Sequence, residues 1–522
     1  MTYLIGVDVG TSAAKALAIR ADGTVEATAT EEYPLYRPRQ GWVEQDPESW
    51  WQATTRCLHR VTQALGPRAG GIASVAFTGQ MHSAVFLDRN LQVVRRAMLW
   101  CDLRTTAECA EITRRLGGRQ ALLACTSNPA MEGFTAPKVA WLRSNEPEQY
   151  ARVKHILLPK DYIRYKITGE LSTDMSDAAG TLFFDVAARR WSSHVLEAMD
   201  IPQGLLPRVR ESTDVCGSVG PRISDLTGMP RGTVVGAGGA DNSCGAIGAG
   251  VVQNGQLMIS IGSSGVVFSQ IDEPIRDPDG RIHTFNYSIP ATWYLMGVML
   301  SAGLSYSWMR DVVSSGRPCF SSGGQLASYK LLDSEAAKVS PGSEGVLFLP
   351  YLNGERSPHQ DPNAKAVFFG IDSRHTRWHL VRSVLEGVAY ALRDMVEIME
   401  PLGIEKGTVR VIGGGARSQL WKQIQADVLK RSVITLSSDE GPAFGAALLG
   451  GVAAGVYSDI GEAVGRTVRV ASVTEPSNND AKTYDRYYEI YRSLYGSLSM
   501  QFRRISEVNS FLESARCAHQ KQ

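Results

Sequence analysis

The chain has 522 residues, which is too long for one simple hydrophobic core and predicts two or three domains. Its 54 lysines and arginines nearly balance its 53 aspartates and glutamates, and they form no basic block. The formal charge is +1, so binding to nucleic acid or to an anionic membrane surface is not expected.

Residues 1–4 lead straight into a strand-like segment, without the positive start and apolar core of a signal peptide. The charge-free runs are rich in glycine and shorter than the roughly 20 apolar residues of a membrane span. The eight cysteines form no C-x-x-C pair, so neither a disulfide framework nor a zinc site is expected. Scattered reduced thiols predict a cytoplasmic protein.

The β-branched run at 4–12 ends in the pattern D-x-G-T-S, formed by Asp8, Thr11 and Ser12. A second run at 15–19 follows after a tight turn, which predicts a meander of antiparallel strands. The first turn can point N–H groups and two hydroxyls at phosphate oxygens, while Asp8 binds Mg²⁺ through water. On its own, the pattern is weak and favours an ordinary glycine-containing hairpin.

Two long helices are predicted from apolar spacing. Residues 46–65 have Asp46 as a candidate N-cap and Pro47 in the first turn. Residues 378–400 carry an apolar stripe at helical spacing, which indicates a buried face.

A strand predicted at 72–77 leads into Gln80, Met81 and His82. Polar residues just past a strand end often contact ligands in α/β proteins. Without further context, Met81 and His82 fit equally well as satisfied core residues. A second strand, at 97–100, leads into Asp102 and Arg104, which could simply pair with each other on the surface.

The stretch 234–246 starts with two valines, continues with three glycines and carries one carboxylate, Asp241, at its centre. This predicts a strand that ends in a loop where the backbone can approach a ligand closely. Asp241 is either the cap of a helix starting near Asn242 or a general base at a domain junction.

The opening pattern returns at 257–268, where Gly262, Ser263 and Ser264 follow a β-branched run. Duplicated strand–turn–strand units predict two halves of similar topology around a cleft. Because Ser260 stands where the first copy has Asp8, we expect two phosphate-facing turns and one metal site.

A strand at 409–412 is followed by three glycines and then by a helix at 419–429. A nucleotide can lie flat against backbone in such a strand–glycine–helix junction. Neither G-x-G-x-x-G nor G-x-x-x-x-G-K-[ST] is present, so a Rossmann dinucleotide site and a P-loop are not indicated.

Taken together, these motifs resemble those of the FGGY family of carbohydrate kinases up to about residue 495. The matching segments, in chain order, include IGVDVGTSAAK, TGQMHSA, MEGFTAPK, SDAAGT, GAGGADNSCGA, ISIGSSGV, FLPYLNGERSPH and GGGARSQLW. The resemblance implies an α/β fold of two ribonuclease-H-like domains, as in actin- and hexokinase-type ATPases, around a central cleft. The domains implied are 1–244 for sugar binding, with the catalytic base at its end, 245–495 for nucleotide binding, and a C-terminal helix or tail at 496–522.

The resemblance also implies ATP-dependent phosphorylation of a sugar hydroxyl, with C5–OH of D-xylulose as the expected acceptor. Asp241 takes the general-base position and Asp8 the Mg²⁺ position. The residues that fall on sugar-binding positions are Gln80, Met81, His82, Asp102, Phe134, Asp241 and Asn242. Those that fall on ATP-binding positions are Thr11, Ser12, Lys15, Gly262, Ser263, Ser264, Gly303, Ser307, Gly414, Gly415 and Ser418.

Cys101 and Leu103 depart from the W-N-D-G-R segment that xylulose-phosphorylating members tend to have, which leaves another ketose or polyol, such as ribulose, as an alternative acceptor. A non-kinase ATPase of the actin type is a further alternative, but the sugar-pocket pair Met81 and His82 argues against it. Homodimers are common in the family, so a homodimer is the expected assembly.

Overall fold

A computed structural model describes residues 1–314, 324–404, 407–437 and 440–519. The chain forms two compact units. The first unit consists of Met1–Asn254, Gln270–Tyr294 and Ser438–Arg469, and the second unit of Gly255–Ser269, Leu295–Ser437 and Val470–Gln522.

The strands and helices up to residue 248 all belong to the first unit. The strands are β1 (Tyr3–Val9), β2 (Ala13–Arg20), β3 (Val25–Glu32), β4 (Glu44–Gln45), β5 (Ile72–Gly79), β6 (Val85–Leu87), β7 (Ala97–Met98), β8 (His155–Leu157), β9 (Ser172–Asp174), β10 (Phe184–Asp185), β11 (Arg190–Trp191), β12 (Arg208–Arg210), β13 (Val215–Ser218), β14 (Val234–Gly236) and β15 (Gly239–Ala240). The helices are α1 (Pro47–Leu65), α2 (Thr106–Arg115), α3 (Arg119–Thr126), α4 (Thr135–Asn145), α5 (Pro147–Arg152), α6 (Pro159–Thr168), α7 (Met175–Ala179), α8 (Ser193–Ala198), α9 (Pro221–Thr227) and α10 (Asp241–Gly248).

The remaining elements follow from residue 257 onward. The strands are β16 (Leu257–Ile261), β17 (Gly265–Ile271), β18 (His283–Asn286), β19 (Trp293–Met299), β20 (Leu347–Leu349), β21 (Val367–Phe369), β22 (Val409–Gly413), β23 (Val433–Leu436) and β24 (Val470–Thr474). The helices are α11 (Gly303–Ser314), α12 (Gly324–Ala336), α13 (Arg377–Met399), α14 (Gln419–Leu429), α15 (Pro442–Ala453), α16 (Ile460–Thr467) and α17 (Asn478–His519).

The two units contain sheets with the same strand order. One seven-stranded sheet has the order β13-β14-β5-β1-β2-β3, with β15 also pairing with β5, and the other has the order β24-β23-β22-β16-β17-β19-β18, so six strands correspond. In each sheet the first two strands of the copy form an antiparallel pair, and the opening strand pairs in parallel with a later one, β5 or β22. The duplication predicted from the sequence is therefore confirmed at the level of topology.

Both long helices agree closely with the prediction. Helix α1 begins at Pro47, and the side chain of Asp46 caps it by accepting from the N–H of Glu48. Helix α13 occupies 377–399 and buries the predicted apolar stripe, which consists of Val381, Val384, Leu385, Val388, Leu392, Met395 and Val396. Helix α17 runs without a break across residue 495 to His519.

Helix α15 belongs to the first unit although it lies late in the chain. It is rich in alanine and glycine, and it packs against β1 and β5. A Cβ on Gly6 of β1 would lie 1.8 Å from the carbonyl oxygen of Ala443. Helix and strand therefore touch backbone to backbone, which only glycine at position 6 permits.

None of the helices within the described ranges is both long and apolar enough to cross a bilayer.

We predict that Gly6→Ala lowers the free energy of unfolding by about 3 kcal/mol or more, because the added methyl group meets a backbone oxygen that cannot rotate away. The matched control is Gly465→Ala in α16, where a Cβ has nothing within 4 Å. That change should be neutral or stabilise the protein by up to about 1 kcal/mol. Urea denaturation of both variants measures the difference, and equal midpoints would contradict the close packing.

Candidate active site

Asp241 lies where the carboxyl end of the first sheet meets helix α10. Strand β15 pairs in parallel with the last residues of β5, and the helix begins at Asp241 itself. The alternative that Asp241 caps this helix is wrong, because the cap position is Ala240, one residue earlier.

The carboxylate of Asp241 is held by its neighbour. Its Oδ1 accepts from the backbone N–H of Asn242 at 2.7 Å and from Nδ2 of Asn242 at 3.0 Å. Burial and the negative charge of Asp8 raise the pKa of Asp241 to about 7, although the two hydrogen bonds from Asn242 oppose this rise. A carboxylate with a pKa close to neutral is suited to accept a proton.

Asp8 lies near the end of β1, opposite Lys15 on β2 and Thr78 on β5. Its Oδ1 is sealed from solvent and has no hydrogen-bond partner among the described residues. Burial raises the pKa of Asp8 to about 6, and the charge of Lys15 opposes the rise. A buried carboxylate oxygen without a donor fits a cation, as the metal prediction for Asp8 requires.

The β1–β2 turn carries the other predicted phosphate-facing residues. Thr11 Oγ1 accepts from the indole N–H of Trp100 at 2.9 Å, and Ser12 is exposed. Lys15 forms an ion pair with Glu440, with Nζ 2.9 Å from Oε2. Lys15 would have to share its charge between Glu440 and a phosphate, so its nucleotide contact stays a prediction.

Gln80 supports this turn from β5. Its backbone N–H donates to the carbonyl oxygen of Val9 at 3.0 Å. Its side-chain Nε2 donates to the carbonyl oxygen of Gly10 at 3.3 Å and to Oε1 of Gln45 at 3.1 Å. The side chain is buried and used in holding the turn, and its predicted contact with sugar stays untested.

Met81 and His82 are buried, and Met81 lies against the segment that carries Asp241. The sulfur of Met81 lies 3.8 Å from Nδ2 of Asn242 and 3.9 Å from the hydroxyl of Tyr294. His82 has a positive φ of 68°, and its Nδ1 lies 2.6 Å from the carbonyl oxygen of Gly180. Because a carbonyl can only accept, we assign the proton of the neutral ring to Nδ1, which makes Nε2 an acceptor.

Aromatic rings pack around His82. The ring of Phe134 lies 4.6 Å from His82 and 5.7 Å from His283, between ring centroids. His283 stacks on Phe285 at 5.4 Å, and Asn128 Oδ1 lies 2.9 Å from its Nδ1. Sequence reasoning named Phe134 but missed His283, Phe285 and Asn128. The alternation of His283 and Phe285 along β18 is the signal that could have found these two residues.

Lys138, which the sequence analysis also missed, donates to backbone carbonyl oxygens on both sides of this aromatic cluster. Its Nζ donates to the carbonyl oxygens of His82 at 3.3 Å and of Phe134 at 3.2 Å, and also to that of Gly133. Burial lowers the pKa of Lys138 to about 7. The amine thus holds the two predicted sugar-binding segments at a fixed separation.

Asp102 was predicted both as a sugar contact and as a surface partner of Arg104. The two do pair, with Asp102 Oδ2 2.7 Å from Nη2 of Arg104, but they are buried rather than on the surface. Asp102 Oδ2 also accepts from the N–H of Val43 at 2.6 Å, and Arg104 pairs in addition with Glu44. The carboxylate therefore stabilises the 42–44 segment, and its predicted sugar contact stays untested.

The second unit contains a separate cavity of about 490 Å³ at the end of its sheet. Seven of the predicted nucleotide-binding residues line it, namely Gly262, Ser263, Gly303, Ser307, Gly414, Gly415 and Ser418. The other predicted residue in this unit, Ser264, accepts from the N–H of Gly262 through its carbonyl oxygen at 3.0 Å. The sequence did not single out Tyr306, Tyr329 or Trp421, which form the aromatic wall of the cavity.

The glycines of this cavity are required by close backbone approach. A Cβ on Gly303 would lie 2.3 Å from the carbonyl oxygen of Gly262, and one on Gly415 would lie 2.6 Å from Cδ1 of Ile261. Ser418 caps α14 by accepting from the N–H of Trp421 at 3.0 Å. Backbone lies open to a ligand in the cavity, and aromatic rings can cover a planar group.

Comparison with known proteins identifies the class. Residues 3–248 match the N-terminal domain of the FGGY family of carbohydrate kinases, and residues 257–454 match its C-terminal domain. The chain belongs to this family, and the resemblance predicted from the motifs is confirmed. The fold is the two-domain fold of actin- and hexokinase-type ATPases, as predicted. Kinases of this family use ATP with a divalent metal.

Several relatives are known under a single name. The chain is 37% identical to a xylulose kinase of Bacillus subtilis, over 95% of this chain and 97% of the relative. It is 39% identical to a xylulose kinase of Escherichia coli, over 95% of this chain and 99% of the relative. A crystal structure of xylulose kinase from Rhodospirillum rubrum superimposes with a TM-score of 0.89 at 29% identity, covering 96% of this chain and all of that one.

We predict that Asp102→Asn lowers the free energy of unfolding by about 2–3 kcal/mol, because it removes the charge from a buried ion pair while Glu44 stays bonded to Arg104. Urea denaturation measures the change. Glu111→Gln is the control, since its ion pairs with Arg114 and Arg115 are exposed and their loss should change stability little. Unchanged stability together with a raised KM for sugar would instead place Asp102 in the substrate pocket.

Proposed function

We propose that this kinase transfers the γ-phosphoryl group of ATP to the C5 hydroxyl of D-xylulose. The observation that carries the proposal is Asp241, a carboxylate whose pKa is raised to about 7 by burial and by the charge of Asp8, and which lies beside a cluster of aromatic and polar side chains. The relatives named xylulose kinase, which match almost the whole chain, support the choice of sugar.

Asp241 is the proposed general base. It accepts the proton of the attacking hydroxyl as the bond to phosphorus forms, which contributes about 10²–10⁴-fold to such reactions. Asn242 donates to Oδ1 of Asp241 at 2.7 and 3.0 Å, so this oxygen is fixed and Oδ2 is the atom proposed to face the sugar. His82, whose Nδ1 lies 2.6 Å from the carbonyl oxygen of Gly180, is proposed to contact the sugar together with Met81.

Asp8 is the proposed anchor for Mg²⁺, directly or through water. When bound, the cation neutralises charge that develops on the phosphoryl oxygens. Asp8 contributes a carboxylate oxygen that has no donor in the described ranges, and the neighbouring turn at Thr11 and Ser12 contributes N–H groups to phosphate oxygens.

ATP is proposed to bind in the cavity of the second unit. The glycines of the β16–β17 turn and of the segment after β22 expose backbone that phosphates can approach. Tyr306 and Trp421, with ring centroids 5.6 Å apart, offer an aromatic surface for the adenine. The division of labour proposed is therefore sugar in the first unit and nucleotide in the second.

The reaction is proposed to take place in the cytoplasm. Six cysteines, Cys57, Cys101, Cys109, Cys125, Cys216 and Cys244, are free thiols, as expected where thiols stay reduced. The homodimer expected from the family stays a prediction.

ADP release with Mg·ATP tests the substrate, measured against D-xylulose, D-ribulose, L-ribulose, L-xylulose, glycerol and buffer alone. We expect turnover with D-xylulose at least tenfold above every other acceptor. A preference for another ketose would leave the mechanism unchanged and change the proposed substrate. Cys101 and Leu103 would then be the first positions to substitute. Sugar-independent release alone would refute the kinase proposal.

We predict that Asp241→Ala lowers kcat by about 10²–10⁴-fold and leaves sugar binding within a few-fold, because the variant loses the proton acceptor and keeps the aromatic pocket. Steady-state kinetics and calorimetric titration with the sugar measure the two quantities. Asp225→Ala, an exposed aspartate in the same unit, is the matched control and should behave as the wild type. Near-normal turnover of the Asp241 variant would refute the base assignment.

A further inference from the structure

The hydroxyl of Ser176, the second residue of α7, joins three separate segments of the first unit. Its Oγ accepts from the backbone N–H of Ala240 at 2.8 Å and from the hydroxyl of Ser288 at 3.1 Å. It donates to Oδ2 of Asp174 at 2.6 Å. A serine hydroxyl has one proton and two lone pairs, so these three bonds use its full capacity and fix their directions.

Asp174 is a rigid anchor for this hydroxyl. Its Oδ2 also accepts from the N–H of Ser176 at 2.9 Å and from the hydroxyl of Ser212 at 2.7 Å. Its Oδ1 lies 2.8 Å from Nζ of Lys160. Burial raises the pKa of Asp174, but Lys160 and the donated hydrogen bonds outweigh burial and hold the pKa below its usual value. The carboxylate is therefore ionised and strongly bonded.

The segments joined by Ser176 enclose Asp241 on both sides. Ala240 precedes Asp241 directly, and Ser243 follows it by two residues. The hydroxyl of Ser243 donates to Oγ of Ser288 at 2.6 Å and accepts from the N–H of Ser288 at 2.9 Å. A Cβ on Gly239 would lie 2.1 Å from Oγ of Ser288, so the backbone that leads to Asp241 is in direct contact with this network.

The same short helix reaches the sugar pocket from its other end. Gly180 follows α7, and its carbonyl oxygen accepts from Nδ1 of His82. A Cβ on Gly180 would lie 2.7 Å from this imidazole nitrogen and 3.0 Å from Cε of Met81. Helix α7 thus holds the backbone before Asp241 at one end and the proposed sugar-binding pair at the other.

We propose that Ser176 is a positioning residue, which fixes the backbone at Ala240 and so sets the direction from which Asp241 meets the acceptor hydroxyl. This inference rests on the proposed role of Asp241. Ser176 acts through Ala240 and takes no part in proton transfer. Loss of its hydroxyl leaves the Ala240 N–H without its acceptor, so the start of α10 is free to move by a few tenths of an ångström or more.

The test compares Ser176→Ala with Ser212→Ala, using the sugar that gives turnover. The two variants each remove one hydroxyl donor from the same Asp174 oxygen, but only Ser176 reaches Ala240. For Ser176→Ala we expect kcat to fall about 10–100-fold, as for small misplacements of a catalytic group, with KM for sugar and ATP within about twofold. Ser212→Ala should keep kcat within about threefold.

Combination with Asp241→Ala separates positioning from general loss of structure. If Ser176 acts only through Asp241, the double variant should be no slower than Asp241→Ala alone, whereas a merely structural defect would add to it. Wild-type-like kcat for Ser176→Ala, or a full additional loss in the double variant, would overturn the inference. If Asp241→Ala itself keeps its turnover, the proposed base is wrong instead, and the two failures are distinguishable.

Ser288→Ala serves if Ser176→Ala does not fold. It removes one donor to Ser176 and the partner of Ser243, and it leaves the Ala240–Ser176 bond in place. We expect kcat to fall about 3–10-fold at unchanged KM. The effect is smaller than for Ser176→Ala because the hydrogen bond from Ala240 to Ser176 remains. An unchanged kcat in this folded variant would overturn the inference.

Discussion

The parallel pairing of β5 with both β1 and β15 is the constraint on which the site in the first unit depends. Parallel strands end at the same edge of a sheet, so three segments that are far apart in sequence deliver their next residues to one place. Asp8 comes from β1, Gln80 from the end of β5, and Asp241 from the end of β15. Burial raises the pKa of Asp241, and the charge of Asp8 adds to this rise.

Local patterns in the sequence were sufficient to predict much of this architecture. Apolar spacing and capping chemistry predicted α1 and α13 to within one or two residues, and the repeated strand–turn–strand pattern predicted the duplicated sheet. Ordered motifs predicted the family, and seven of the predicted nucleotide positions line one cavity. The helices and the repeated strands could be predicted because patterns among a few neighbouring residues determine them.

What the sequence could not show is set by contacts between distant segments. Part of the aromatic cluster around His82 comes from β18, where a single His–x–Phe alternation is too short to stand out. Nothing near Asp102 in the sequence says that Arg104 turns inward, because Trp42 and Trp141 cover its guanidinium from other segments. The partner of Lys15, Glu440, lies in the last part of the first unit. Burial created by such contacts also shifts the pKa of Asp8, Lys138 and Asp241.

The two related sheets carry different side chains at corresponding positions. Both open with a strand that ends in a glycine turn, but the second has Ser260 where the first has Asp8. The acidic side chains therefore belong to the first copy, while the second copy offers glycines and aromatic rings around its cavity. The two copies of the duplicated scaffold thus differ in the side chains at the ends of their opening strands.

The backbone contact between Gly6 and Ala443 also bears on how the molecule is made. Strand β1 is synthesised more than 400 residues before α15, which packs against it. Until α15 has been synthesised, one apolar face of the sheet in the first unit is uncovered. Contacts between such distant segments slow folding and prolong the exposure of apolar surface to aggregation.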